Sequence, residues 1–444
     1  MLQKLATKLT RWSMRYVPDA WIIAVILTVI VFILALIFGK HGPYQLIQDW
    51  GNGFWLLHSF AMQMALIIMT GYILSTSRPM KAALNWLAGL PKSPAASVGL
   101  MALVSMVLAW INWGLSIVGS AVFVRYMVRK QRKVDYGLLV CAAYLGLGGM
   151  WHSGLSASAP LLVATPKHFM EKEMGIISVA DTIFTPFNLI LAFIILVVWT
   201  FLATRMHPKP EDTIEADPSL LQEEPEPPKP EIKTFADWIA HTPYVNLFVA
   251  AIGLIWLFWN FSTKGFGGIT LDTVNFTFLI LGILFHWTPA SFIRAATEAG
   301  TYVWGVLIQF PFYAGMFGII RDSGLAEVMA RWFTAIATPH TYPVIIYWYS
   351  GILNYFVPSG GSKWAIEAPY IVQAAKSLGV PLNQLVVTYA WGDMMTDVIQ
   401  PFWAIPLLGV AKTEFRNIMG YALVFFLVYI VVTTVAFIIM PYVF

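Results

Sequence analysis

The chain has 444 residues, of which 58% are hydrophobic and 11% charged, and its mean hydropathy is +0.70. Soluble domains carry about 25% charged residues, so this composition excludes a soluble globular protein and points to an integral membrane protein. A net charge of +4 is too small, and too confined to loops, for a nucleic-acid partner. The single cysteine, Cys141, excludes an internal disulfide and gives no metal motif.

The apolar runs are long enough for helices, whereas a barrel would show alternating segments of roughly ten residues. The first run, residues 19–39, lacks a small-residue cleavage signature and reads as a retained helix. Lys4, Lys8, Arg11 and Arg15 precede it and place the N-terminus in the cytoplasm by the positive-inside rule. A nearly neutral loop at 40–51 leads to a second span at about 52–75, and a loop with Arg78, Lys81 and Lys92 is again inside. Residues 95–124 carry no charge and are closed by Arg125, Arg129, Lys130, Arg132 and Lys133. Two crossings would need about 40 apolar residues plus a turn, so the pattern predicts a re-entrant hairpin over about 95–128. Its tip is Asn112, Trp113 and Gly114, with Ser116 just beyond.

The next span starts at Tyr136 and becomes too rich in Gly and Ser for a continuous helix at GLGGMWHSGLSASAP (146–160), which predicts a broken helix. A span at about 182–202 brings the chain back inside. Residues 207–243 then change character, with acidic residues in excess and prolines at 208, 210, 218, 225, 227, 228, 230 and 243. They predict a solvated cytoplasmic tether without a core of its own.

The second half repeats the first. Spans at 244–261, 274–287 and 300–320 are followed by an apolar stretch broken by Pro358, Ser359, Gly360, Gly361 and Ser362, a second hairpin over about 341–375. A run from Leu385 is broken by GDMMTDVIQP (392–401), and the last span covers about 419–442. Three anchors recur in order: Gln63 with Gln309 (309 − 63 = 246), Asn112 with Asn354 (354 − 112 = 242), and APLLVA (159–164) with IPLLGVA (405–411; 406 − 160 = 246). The unpaired span at 244–261 between the halves should invert the second copy and bring both broken helices to the midplane. The expected fold is therefore an all-α membrane protein with about nine full spans, two re-entrant hairpins and two broken helices. Its expected divisions are a repeat at 1–206, the tether at 207–243, and a linking span with the inverted repeat at 244–444.

Helix breaks in hydrocarbon are tolerated only where protein or a water-filled cavity surrounds them. The two tips, Asn112, Gly114 and Ser116 with Ser359, Gly360, Gly361 and Ser362, fit a carboxylate held by backbone amides and hydroxyls. The structural alternative is a tight helix crossing that uses small residues for packing. Ser156 and Ser158 of the first break would add hydroxyls, and Trp113, Tyr355 and Trp364 could wall a short acyl chain. Lys363 could meet the substrate carboxylate, or pair with Glu367 one turn along or with Asp393. Asp393 and Asp397, grouped with Asn354, share a face if that segment is helical, and would bind Na⁺ near Asp393 or carry a proton; a water-facing pair is the alternative. His152 with Ser153, Ser156 and Ser158 also suggests an intramembrane serine hydrolase, because a serine nucleophile needs a base within reach. The break already explains those serines and nothing marks an oxyanion hole, so no catalytic residue is assigned.

The segments LNYFVPSGGSKWAIEAP (353–369), YAWGDMMTDVIQPFWAIPLL (389–408), LIQFPFYAGM (307–316), HSGLSASAPLLVATP (152–166) and GNGFW (51–55) together resemble the short-chain fatty acid transporter family, AtoE-like. The resemblance extends over almost the whole chain. It implies uptake of short carboxylates such as acetoacetate or butyrate across the bacterial inner membrane, with no enzyme activity and no cofactor other than a coupling Na⁺ or H⁺. It also implies a fold similar to the wider ion transporter superfamily of elevator-type carriers, and with it a homodimer in the lipid bilayer. A passive anion channel, or a carrier of another small carboxylate, would use the same motifs.

Overall fold

The computed structural model describes residues 20–218 and 231–444. Lys4, Lys8, Arg11 and Arg15, with the orientation they predict, lie outside the described residues, as do Pro225, Pro227, Pro228 and Pro230 of the tether.

Among the described residues the regular elements are all helical. The first series is α1 (Ala20–Phe38), α2 (Pro43–Gly53), α3 (His58–Thr76), α4 (Arg78–Ala88), α5 (Pro94–Ile111), α6 (Trp113–Lys130), α7 (Tyr136–Gly149), α8 (Ser158–Ala164) and α9 (Pro186–Arg205). Then come α10 (Phe235–His241) and α11 (Tyr244–Lys264). The second series is α12 (Leu271–His286), α13 (Pro289–Gly300), α14 (Trp304–Asp322), α15 (Leu325–Ile336), α16 (Tyr342–Phe356), α17 (Gly360–Leu378), α18 (Leu382–Met394), α19 (Ile405–Ala411) and α20 (Phe415–Val443). Apart from a four-residue helix at Glu171–Met174 that the second series lacks, the two series run in the same order, and a short helix follows each break: α8 and α19 have 7 residues each. Seven described helices are long and apolar enough to cross a membrane, or nine when each of two bent pairs counts as one span. Large apolar side chains point outward from α1, α9 and α11, among them Ile33, Ile37, Phe193, Phe201, Phe248 and Phe258, which suits a hydrocarbon surround.

The helices α5 and α6 form an antiparallel pair, and so do α16 and α17. One residue turns the first: the Asn112 N–H donates to Leu108 O, and its side-chain oxygen accepts from Leu115 N at 2.9 Å, closing α5 and capping α6. Ser116 Oγ donates to Ser105 O near the tip (2.8 Å), and Gln131 Nε2 reaches Pro91 O at the open end (3.4 Å). In the second hairpin, Tyr342 donates to Ile371 O (2.6 Å) and the Tyr349 and Tyr370 hydroxyls bond each other (2.8 Å), joining α16 to α17.

Both breaks also fall where the composition places them. After α7 the chain makes a 3₁₀ turn at Trp151–Ser153 and restarts at α8. Gly154 is required there, because a Cβ would lie 2.1 Å from Trp110 O, whose oxygen accepts from Leu155 N. After α18 two 3₁₀ turns, Asp397–Ile399 and Phe402–Ala404, bracket Pro401 before α19 begins.

Three local expectations are corrected. The segment at 40–51 is not a loop: Pro43 sits in the first turn of α2, whose inner face presents Leu46 and Asp49. The second span consequently starts at His58 and not at residue 52. The basic segment after it is the helix α4, which buries Leu84 and Ala88 and leaves Arg78 and Lys81 outside. Short amphipathic stretches that give no hydropathy signal for a span still fold against one.

The start of the tether is pinned. His207 Nε2 accepts from Asp135 N (3.1 Å), Asp135 Oδ2 accepts from Ile214 N (3.1 Å), and Ile214 O accepts from Tyr136 N (2.8 Å). These bonds attach residues 207–214 to the first turn of α7.

Candidate functional site

The hairpin tips and the breaks meet around a cavity of about 40 Å³, room for about one water. It is lined by Ser158, Ser359, Gly360 and Gly361, which the sequence singles out, and walled by Met64, Trp113, Trp151, Phe310 and Trp403. The second tip is held open as backbone. Ser359, the N-cap of α17, makes no side-chain capping bond and instead donates to Ser362 Oγ at 3.0 Å. The first amides of α17 therefore lack the side-chain acceptor that usually closes a helix start. Tyr389 fixes the tip by donating to Gly360 O (2.6 Å), and Trp403 Nε1 donates to Pro358 O. Only glycine fits at 360: a Cβ there would lie 2.6 Å from both Asp393 Oδ2 and His152 Cε1.

Behind Gly360 lies a fully buried ionic cluster. Lys363 Nζ donates to Ser350 O (2.8 Å) and Ser350 Oγ (2.6 Å) and stands 3.0 Å from Asp393 Oδ1 and 3.6 Å from Glu367 Oε1. The two ion-pair readings of Lys363 are thus both realised, with Asp393 nearer; Lys363 does not line the cavity. Its ammonium also sits 4.8 Å from the centre of the Tyr389 ring, a cation–π distance. Ala159 N donates to His152 Nε2 (3.1 Å), so the ring proton is on Nδ1, which donates to Asp393 Oδ2 at 2.7 Å. A histidine that accepts through one nitrogen and donates through the other is neutral.

Asp397 is held differently. Its two oxygens accept from Asn354 Nδ2 (2.7 Å) and Trp151 Nε1 (2.9 Å), and Asn354 also donates to Thr396 Oγ1 (3.2 Å). The proposed ion-coupling residues therefore lie together, but both Asp393 oxygens already face a cation or an N–H donor. Among the described residues no group of three or more His, Cys, Asp or Glu is arranged to hold a metal. Those contacts do not fit a Na⁺ beside Asp393.

Several expected ligands are committed to the scaffold. Ser116 bonds Ser105 O, Ser156 Oγ accepts from Trp113 N (2.9 Å), and Asn112 caps α6, although Asn112 Nδ2 remains buried without a partner. Gly114 packs against Ile67 and Ile68 of α3. Trp364 is buried against Tyr389 and Tyr355 packs on Phe356, so of the three proposed walls only Trp113 reaches the cavity. Neither nitrogen of His152 meets a serine: Ser153 donates to Met150 O (2.7 Å), Ser156 accepts from Trp113, and Ser158 Oγ points to Met64 Sδ at 3.5 Å. The pairing a serine hydrolase needs is not assembled. Met64 and Phe310 were missed although each directly follows a repeat anchor, Gln63 or Gln309. Trp151 and Trp403 lie inside quoted motifs whose small residues drew the attention.

Two hairpins set tip to tip against two broken helices, within a shell of apolar spans, define a multi-pass membrane transporter. The fold is shared with the YdaH transporter of Alcanivorax borkumensis, at a TM-score of 0.58 and 15% identity, over 94% of this chain and 98% of that one. In sequence the chain is 38% identical over 425 residues to a protein of Escherichia coli (strain K12), and 35% identical over 432 residues to one of Haemophilus influenzae. Each alignment covers 95% of this chain and 96% of the relative, and both relatives bear the name "Putative short-chain fatty acid transporter". The short chain fatty acid transporter family model matches residues 1–442, and the chain belongs to that family.

Proposed function

We propose that this protein is a secondary carrier that takes up short-chain fatty acids or related monocarboxylates, such as butyrate or acetoacetate, across the bacterial inner membrane. The observation that carries the reading is the cavity between the tips. It combines the Ser359 and Ser158 hydroxyls and the Gly360 and Gly361 backbone with indole, phenyl and thioether walls. A few polar groups suit one carboxylate, and an apolar remainder suits a short alkyl chain. Room for about one water does not admit a butyrate ion, so the described state is closed and the tips must part for substrate to enter.

In this reading residues 1–206 and the part of 244–444 that follows α11 are oppositely oriented copies, because the unpaired α11 reverses the second. The hairpins are re-entrant, the N-terminus is cytoplasmic, 207–243 is the tether, and the unit of hairpins and breaks moves within a homodimer by elevator-type alternating access. A proton is the coupling ion in this reading, which is supported by the commitment of both Asp393 oxygens to Lys363 and His152. The name shared by the two bacterial relatives supports the substrate class.

The test is uptake of labelled butyrate into proteoliposomes under separately imposed proton and Na⁺ gradients. Saturable, proton-driven uptake with counterflow is expected, and Ser359→Ala should weaken it. Uptake that neither saturates nor shows counterflow would identify a passive channel instead.

A further inference from the structure

The cluster behind the cavity holds more negative charge than it can balance. Asp393, Asp397 and Glu367 are three carboxylates with 3% exposure or less, Lys363 is the one cation in contact with them among the described residues, and His152 is neutral by its hydrogen bonds. Fully ionised, the cluster would carry a net charge of −2 in a site closed to water. A buried carboxyl in that position takes up a proton instead of remaining charged.

The geometry distinguishes the three. Asp393 has an ammonium at 3.0 Å and an imidazole N–H at 2.7 Å. Asp397 accepts an amide N–H and an indole N–H. Glu367 has only the Ser350 hydroxyl at 3.4 Å and the Lys363 ammonium at 3.6 Å, both at Oε1, while its buried Oε2 has no partner. The titratable groups that face it are Lys363 and Tyr370 of α17, Tyr342 and Tyr349 of α16, and Tyr389 and Asp393 of α18. None of the four tyrosine hydroxyls serves it: Tyr342 donates to Ile371 O, Tyr349 and Tyr370 bond each other, and Tyr389 donates to Gly360 O.

We propose that Glu367 is the proton-binding site of this transporter, and that its protonation decides which carboxylate Lys363 pairs with. Neutral Glu367 holds one proton on a carboxyl oxygen, and Lys363 then bridges α17 to Asp393 of α18, fixing the second tip to its broken helix. When water is admitted to the cluster and takes that proton, the Glu367 carboxylate draws Lys363 along its own helix, where an i,i+4 pair is already in reach. Asp393 keeps only His152, and the tip is released from α18. This assignment rests on the carrier reading for its link to transport, but the protonation itself does not.

The first experiment needs no substrate. Infrared difference spectra of the purified protein, taken above about pH 6, where exposed carboxyls are already ionised, should show a protonated-carboxyl stretch that titrates. The band should vanish in Glu367→Gln and persist in Asp397→Asn. In Asp393→Asn it should move to lower pH, because Lys363 then has Glu367 as its only carboxylate in contact. A band unchanged in Glu367→Gln, or lost only in Asp397→Asn, overturns the proposal. The second experiment compares wild type and Glu367→Gln in proteoliposomes: the variant, held in the neutral form, should lose pH-gradient-driven butyrate accumulation, which falls to the equilibrium ratio. Retained accumulation also overturns the proposal, whereas a wild type that moves no butyrate would refute the substrate reading and leave the infrared assignment standing.

Discussion

The two hairpins have the same plan and opposite chemistry. The tip of the first is neutral and closed: Asn112 caps α6 through Leu115 N, Ser156 supports Trp113 N, and Ser116 ties the arms together. The second tip is uncapped at Ser359, and its following turn carries Lys363 and Glu367 into a buried cluster with Asp393. Two helix pairs of similar shape thus differ in chemistry, and the buried ionic cluster adjoins the second. The aromatic and thioether walls, by contrast, come from both halves: Met64, Trp113 and Trp151 from the first, Phe310 and Trp403 from the second.

The sharpest way to break this contrast is at Lys363. Lys363→Met leaves Asp393 and Glu367 buried without a cation, and removing one partner of a buried pair costs about 3–5 kcal/mol. Thermal unfolding in detergent should show that loss, with most of it recovered in Lys363→Met combined with Asp393→Asn. Next are the tip glycines. Gly360→Ala places a methyl 2.6 Å from Asp393 Oδ2 and His152 Cε1, whereas at Gly114 the nearest atom is Ile67 O at 3.1 Å. Overpacking of that kind costs about 1–3 kcal/mol, so Gly360→Ala should abolish uptake and Gly114→Ala should only reduce it; equal effects would remove the asymmetry. The caps come third. Asn112→Ala should lower stability by about 1 kcal/mol through the lost N-cap bond, while Ser359→Ala should leave the melting temperature in place and raise KM for butyrate. The smallest effect is on chain length. Phe310→Ala should widen the cavity toward longer carboxylates, by up to about fourfold in KM per added methylene, since each buried CH₂ contributes about 0.8 kcal/mol.

Much of the frame was legible in the sequence because backbone constraints in a membrane are severe. Charge-free runs with basic ends and clusters of Gly, Ser and Pro mark where a helix can stop, and Asn112, Pro358 and the breaks at 146–160 and 392–401 fall at the observed turns. What stayed hidden was set by side-chain geometry between distant segments. No spacing rule joins His152 to Asp393 or Trp151 to Asp397, which are 241 and 246 residues apart. The GLSAS serines looked like ligands or nucleophiles because hydroxyls read alike in sequence; the fold commits Ser153 and Ser156 to backbone atoms. The helices α2 and α4 were read as loops because eleven residues carry an amphipathic stripe but no spanning signal.

The bonds between the two breaks also govern how the cavity can open. Trp151 and His152 of the first hold Asp397 and Asp393 of the second, and Asn354 adds the second hairpin to the same body. A boundary crossed by hydrogen bonds has registers, since each bond must be lost before the next is made. Met64, Val306 and Phe310 of the cavity wall present carbon and sulfur, and such a surface exchanges one set of dispersion contacts for another as it shears. In the carrier proposed above, the bonds between the two breaks would therefore resist displacement more than these carbon and sulfur contacts do.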